Sequence, residues 1–243
     1  MHYPKFNFVM IRMNKLMWLL GLLFFTSVAA SQSPNTFPQA KKIAASIFAK
    51  NPITLYCHCR FDSKKAIDLS SCRMEEAQSI KRSHRLEWEH MMPAEHFGQQ
   101  RPCWREALCE KQGKRFKGRK CCELIDKQFN HMEAELYNLW PSVGLINQLR
   151  SNYRYGLIPT KAKTYGCDFG VKKENRIVEP ADDAKGIVAR ANLFMASHYK
   201  LRLSDSQRQL FEAWNKMFPP SPWEITWALE VEAIEGYKNP YIG

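Results

Sequence analysis

Glu87-Trp88-Glu89-His90 sets two carboxylates and a histidine side by side. Such a group can divide the work of hydrolysis. The imidazole, with a pKa near neutrality, takes a proton from water, and a carboxylate holds a hard cation such as Mg²⁺ or Ca²⁺. Cleaving a phosphodiester needs that division, because negative charge grows on the phosphate and leaving oxygens as water attacks. A protonated histidine cannot serve as the base, so such an activity falls in acid. The plain alternative makes Glu89 a surface charge and His90 a turn residue, and the pair alone does not choose between them. His84, His90 and His96 recur every six residues, a spacing that does not stack zinc ligands on one helix face.

The elements around this segment must aim it. Leu86 and Trp88 alternate with Glu87 and Glu89, which predicts a strand over Arg85–His90 with both carboxylates on one face and Trp88 and His90 on the other. A turn at His90, forced by Pro93, would bring Glu89 and His90 to a common pocket, and Pro93 opens a turn or short helix. Ile43, Ile47 and Phe48 predict a helix over 39–50, stopped by Asn51-Pro52, and Ile53 to Tyr56 reads as a short strand. Ile125, Phe129, Met132 and Leu136 fall at helical spacing, and Trp140-Pro141 ends that helix. Two more helices are marked by Ala184, Ile187, Val188, Ala191 and Met195, and by Leu210, Phe211, Trp214 and Met217. Ser204 with Gln207, and Ser221 with Glu224, read as helix starts. The segment from Cys103 to Cys122 is dense in cations, with Lys114, Arg115, Lys117, Arg119 and Lys120; it is either a phosphate-facing loop or a solvated one.

Composition limits the setting. Residues 1–30 run from Lys5, Arg12 and Lys15 through an apolar stretch, Leu16 to Val28, to small residues ending at Ala30. That layout is a secretory signal peptide, expected to be cleaved after Ala30 rather than to span a bilayer. Residues 31–243 then form one expected domain. The net charge is +12, which favours a polyanionic partner: nucleic acid, an anionic membrane or acidic glycan. All eight cysteines follow Ala30, and an even count in an exported chain predicts disulfides. Cys57-His58-Cys59 with Cys72, and Cys121-Cys122, could also be read as zinc ligands, but the paired C-x-x-C spacing is absent.

Glu87-Trp88-Glu89-His90-Met91-Met92-Pro93-Ala94, Phe97-Gly98 and Arg101-Pro102-Cys103-Trp104 together resemble the bacterial endonuclease I family of periplasmic and secreted nucleases. The resemblance continues in order through Arg119-Lys120, Met132-Glu133, Asn138-Leu139, Pro141-Ser142-Val143-Gly144, Asn147 and Arg150-Ser151-Asn152. It runs on through Tyr165-Gly166, Gly186–Arg190, Ala213–Lys216, Trp223-Glu224 and Asn239-Pro240-Tyr241. It implies a mixed, helix-rich α+β fold: a single domain whose active site is a ββα-metal motif of two strands and a helix around one divalent cation. His90 would be the general base, Glu89 and Asn147 the metal ligands, Arg119 the holder of the scissile phosphate and Glu133 an auxiliary acid. Asn138 would brace the motif, and Lys114, Arg115, Lys117 and Lys120 would grip the nucleic acid. The implied enzyme is a periplasmic or secreted monomer, Mg²⁺-dependent with Ca²⁺ or Mn²⁺ as substitutes. It has no stable membrane association after signal cleavage. It would cut DNA and RNA without sugar or sequence preference and leave 5′-phosphates.

The chain departs from that pattern in three places. Tyr137 stands where the family has histidine, and Gln148-Leu149 where Gly-Asp follows the metal-binding asparagine; both bear on metal affinity or rate. Two family cysteines near the C-terminus are missing, one of them replaced by Ile225, while Cys109 and Cys121 are additions. Since both changes come in pairs, Cys109 and Cys121 are expected to bond to each other.

Overall fold

Two antiparallel strands lie at the centre of the computed structural model, which describes residues 1–2 and 33–243; the predicted signal peptide falls almost wholly outside them. Leu86–His90 pairs with Leu139–Val143 in the register Glu87↔Ser142, Glu89↔Trp140 and His90↔Leu139. The second strand is buried along its whole length and passes at once into the helix Gly144–Arg150, giving a strand–strand–helix unit. Gly144 makes that junction possible, because a Cβ there would sit 2.7 Å from the Arg82 carbonyl oxygen.

Helices pack around this unit. Phe37–Phe48 begins with Pro38 in its first turn and drives Phe48 against Trp140, ring centroids 4.9 Å apart. Trp140 in turn meets Trp227 of the helix Pro222–Glu235 at 4.8 Å. Asp182–His198 and Asp205–Met217 complete the helical layer, and Ser204 and Ser221 accept the backbone N–H of Gln207 and Glu224 as N-caps. A small three-stranded sheet joins Arg154–Tyr155, Ile177–Glu179 and Gly170–Lys172. Residues 31–243 form one compact unit of mixed helix and sheet, and no helix among the described residues is long and apolar enough to cross a membrane.

Three expected elements differ. Ile53–Tyr56 is a turn rather than a strand: Ile53 makes one isolated bridge to Arg60, and Leu55 N donates to the Pro141 carbonyl at 2.8 Å, docking the segment on the central strand. The helix expected from Ile125 to Leu136 is broken at Asp126. That residue leaves helical geometry and caps a new helix, Lys127–Ala134, by accepting from Phe129 N; Arg101 holds its carboxylate with two hydrogen bonds of 2.6 and 3.0 Å. Ile125 is consequently 53 % exposed and Leu136 falls in a 3₁₀ turn. The basic segment is ordered: Cys109–Lys111 and Lys114–Phe116 make a hairpin, and Arg119–Ile125 is a helix. Disulfides join Cys57 to Cys167, Cys59 to Cys72, Cys103 to Cys122 and Cys109 to Cys121, so the added pair of cysteines is bonded as expected and no thiol is left for zinc.

Candidate active site

Where the two strands meet the helix, a cavity of about 340 Å³ is lined by Glu89, His90, Arg119, Asn147 and Arg150. His90 ends its strand and is 8 % exposed. Its Nε2 lies 2.8 Å from the Glu133 carbonyl oxygen, which can only accept, so Nε2 carries the proton and Nδ1 keeps a free lone pair. Phe37 packs on the ring in a tilted arrangement, centroids 4.7 Å apart. Burial first, then the cations Arg119 and Arg150, push the His90 pKa down to about 3 against the pull of the Glu133 carbonyl. The imidazole is therefore neutral at physiological pH and able to take a proton.

Glu89 is 2 % exposed, and burial raises its pKa against the pull of Arg150 and Tyr56. The Tyr56 hydroxyl donates to Oε1 at 2.8 Å, and Arg150 Nε stands 3.0 Å from the same oxygen. Among the described residues, Arg150 Nε is the only enclosed side-chain polar atom without a hydrogen-bond partner. Glu89 Oε2 accepts no hydrogen bond at normal distance among the described residues, and Glu89 lines the cavity. Asn147 gives its amide N–H to Glu87 Oε2 at 3.0 Å, leaving Oδ1 to accept. Burial tends to raise the Glu87 pKa, but hydrogen bonds from Arg82 and Asn147 outweigh it and hold it below the ordinary value; Arg82 grips both carboxylate oxygens at 2.9 and 2.8 Å.

One carboxylate oxygen and one amide oxygen thus share the cavity. They are hard donors of the kind that bind Mg²⁺ or Ca²⁺, and Mg²⁺ commonly takes only one or two protein ligands and keeps its waters. No cluster of three or more His, Cys, Asp or Glu side chains suited to a metal occurs among the described residues, so a zinc-type site finds no support there.

Glu133 sits behind the cavity. Its carboxylate pairs with Arg119 Nε at 2.5 Å while its carbonyl holds His90, so a single residue aims both groups. Burial raises the Glu133 pKa against the attraction of Arg119. Asn138 is wholly buried and clasps Met92 from both sides, accepting from Met92 N at 2.6 Å and donating to Met92 O at 3.0 Å, which fixes the exit of the His90 strand. Lys114, Arg115, Lys117 and Lys120 do not line the cavity: they are exposed on the hairpin and the following helix, where Lys117 donates to the Arg105 carbonyl and Lys120 pairs with Glu123. Tyr137 also lies outside it, packed against Phe194 and Trp227, and Leu149 packs on the core.

Arg150, Tyr56 and Glu87 carry parts that sequence reasoning had not assigned. Glu87 could have been found, since strand alternation already put it on the Glu89 face. Arg150 stood within a motif but with no role, and nothing local marked Tyr56, which is brought in by the Cys57–Cys167 crosslink beside it.

Comparison with known proteins gives the family of the chain. The family model for endonuclease I matches residues 35–243. A periplasmic deoxyribonuclease of Aeromonas hydrophila is 37 % identical over 229 residues, covering 92 % of each chain. An extracellular deoxyribonuclease of the same species is 35 % identical over 225 residues, 90 % of this chain and 93 % of its own. Endonuclease-1 of Buchnera aphidicola is 36 % identical over 229 residues, 91 % of this chain and 87 % of its own. Matches of that length, spanning the site as well as the helical layer, identify the chain as a member of the endonuclease I family.

Proposed function

We propose that this endonuclease hydrolyses internal phosphodiester bonds of DNA and RNA without sequence preference, depends on Mg²⁺ and leaves 5′-phosphate ends. The observation that carries the reading is the neutral His90, its Nε2 tied to Glu133 O and its Nδ1 free, in one cavity with Arg119 and with the unclaimed oxygens of Glu89 and Asn147. Glu89 and Asn147 would hold the divalent cation, and Ca²⁺ or Mn²⁺ could replace Mg²⁺. Bound there, it would supply Lewis-acid stabilisation of the charge on the phosphate and leaving oxygens. His90 Nδ1 takes a proton from the attacking water, Arg119 neutralises the non-bridging oxygens, and Glu133 positions both. Water attacks phosphorus, the 3′ oxygen leaves and takes up a proton, and the phosphate stays on the 5′ side.

Lack of sequence preference follows if Lys114, Arg115, Lys117 and Lys120 grip phosphates while nothing reads base edges. Four disulfides suit an oxidising compartment. The relatives' names, periplasmic and extracellular deoxyribonuclease, point the same way, to a periplasmic or secreted enzyme, which we read as a monomer. The test is nicking of supercoiled plasmid, and cleavage of a folded RNA, with Mg²⁺ and with EDTA. Cleavage of both in Mg²⁺ alone, with DNA ends that ligate without kinase treatment, is expected. Cleavage in EDTA would overturn the metal dependence, and intact RNA would restrict the substrate to DNA.

A further inference from the structure

A second cavity, of about 540 Å³, adjoins the catalytic one and shares Glu95 and Asn152 with it. The partition between them is fixed: the Asn152 side-chain amide donates to Glu95 Oε2, and His96 Nε2 donates to the Asn152 carbonyl at 2.9 Å. Three arginines, Arg154, Arg176 and Arg202, line the second cavity, and Glu95 is the only acidic residue in the lining. Neither Arg154 nor Arg202 makes an ion pair among the described residues. Arg176 is held ready, donating to Asn152 Oδ1 at 2.6 Å and lying over the Tyr153 ring at 5.3 Å. Arg154, Arg176 and Arg202 are all exposed, and solvent-facing positive charge with one engaged carboxylate against it, in an open polar hollow, selects an anion. Arginine's planar fork suits phosphate in particular, since it can give two parallel hydrogen bonds to one group.

We propose that this cavity is a phosphate subsite, and that Arg154, Arg176 and Arg202 take the phosphodiesters next to the scissile one on the same nucleic-acid strand. The inference rests on the nuclease reading above and adds the direction in which the strand leaves the catalytic cavity. It also separates these arginines from the hairpin cations, which lie outside both cavities.

The test is binding of a short fluorescent single-stranded oligonucleotide in EDTA, followed by anisotropy across a salt series. Arg154→Gln/Arg202→Gln is the variant. Arg202 uses only its backbone in its bonds with Gln100, so truncating the side chain spares that contact. Each lost phosphate contact on a single strand lowers the slope of log K against log salt by about 0.7, so the double variant should lose about 1.4 and bind roughly tenfold more weakly or worse at ~0.1 M salt. Arg154→Lys/Arg202→Lys should recover most of the slope. Lys216→Gln/Lys238→Gln removes two exposed charges outside both cavities and should leave the slope near that of the wild type. Should the double glutamine variant fail to fold, Arg202→Gln alone should lose about 0.7 of slope. A folded variant with the wild-type slope and Kd overturns the subsite, as does an equal loss in the two-lysine control. A wild-type protein that neither binds the oligonucleotide nor nicks plasmid in Mg²⁺ sinks the nuclease reading instead, which keeps the two failures apart.

Discussion

Two buried arginine–glutamate pairs sit in this molecule, and they are built differently. In the helical layer Arg190 and Glu224, each with a side chain 1 % exposed, meet through two parallel hydrogen bonds of 2.6 and 2.5 Å, and Arg190 also donates to the Phe218 carbonyl at 2.7 Å. Both carboxylate oxygens are used. At the site Arg150 approaches a single oxygen of Glu89 and spends its other donors on the Met91 and Ser151 carbonyls at 2.6 and 3.1 Å. One pair closes on itself; the other holds a carboxylate in place and leaves half of it for a ligand. Burial is the same in both, so the accounting of acceptors is what tells a site from a brace.

The largest effect expected on the open side is His90→Ala, which removes the base and leaves Arg119 and the surface cations. Cleavage should fall by ~10²–10⁴, with oligonucleotide affinity in EDTA near that of the wild type. A folded variant cutting at the normal rate would show that His90 is not the base, and Glu89 would then have no partner for its proposed work.

The pairs can next be set against each other directly. Glu224→Gln breaks a closed pair and leaves Arg190 buried without its counter-charge, a change that costs about 3–5 kcal/mol, read by urea unfolding. Glu89→Gln leaves Arg150 its two carbonyl acceptors and removes a single-oxygen contact, so the loss of stability should be smaller by at least ~1 kcal/mol. Activity should rank the other way: Glu89→Gln and Asn147→Ala lose cleavage at low Mg²⁺ and recover part of it as Mg²⁺ is raised, whereas Glu224→Gln keeps the wild-type Mg²⁺ dependence. Equal stability losses, or a shifted Mg²⁺ requirement in Glu224→Gln, would erase the distinction.

How much of this could be read beforehand follows from the range of the interactions. The His90 strand, the helix starts at Ser204 and Ser221 and the two late helices depend on neighbours a few residues away, and their patterns showed in the sequence. The broken helix at Asp126 did not, because its cause is Arg101, distant in the chain and close in space. The family resemblance supplied Asn147 and Arg119, which no local pattern singles out, and it presented Tyr137 as a change bearing on the site. The fold puts that ring in the helical layer, its hydroxyl donating to the Tyr237 carbonyl at 3.1 Å. Tyr56 and Glu87 act by holding other side chains, a role that becomes visible only with coordinates.

Crosslinking extends the contrast to the hairpin. Cys109→Ser/Cys121→Ser frees the strands that lead into Arg119 while leaving Glu133 in place. The crosslink is worth roughly 3 kcal/mol in the chain-entropy model, and a loss of about 2–3 kcal/mol in unfolding free energy is expected, with a moderate fall in cleavage from looser placement of Arg119. Unchanged stability would mean that the hairpin is held by its ladder alone.

The remaining contrast concerns a pair of acids in the helical layer that resembles neither arginine pair, and its effect on cleavage is the smallest. Glu135 and Glu235 are both buried and repel each other, with His131 alone acting as a nearby positive charge on Glu235 among the described residues. Tyr199 and Tyr237 donate to Glu135 Oε2 at 2.8 and 2.9 Å, and Tyr237 also reaches Glu235 Oε2 at 3.3 Å. Burial, and then the charge of Glu235, push the Glu135 pKa from the ordinary 4.5 up to about 8; burial raises Glu235 as well. A carboxyl whose pKa is higher folded than unfolded binds its proton more tightly in the native state. Its contribution is therefore fully present below about pH 4.5 and is lost as pH rises through about 8. Each such proton steepens the decline by at most about 1.4 kcal/mol per pH unit. Urea unfolding between pH 5 and 8 should show stability falling as pH rises, and Glu135→Gln, which keeps an acceptor for both tyrosines, should flatten the curve. His90 is expected to stay neutral throughout that window, so cleavage measured well below the unfolding transition should not follow the same decline. A stability curve that rises towards pH 8, or that Glu135→Gln leaves unchanged, would show that Glu135 does not hold its proton in the native state.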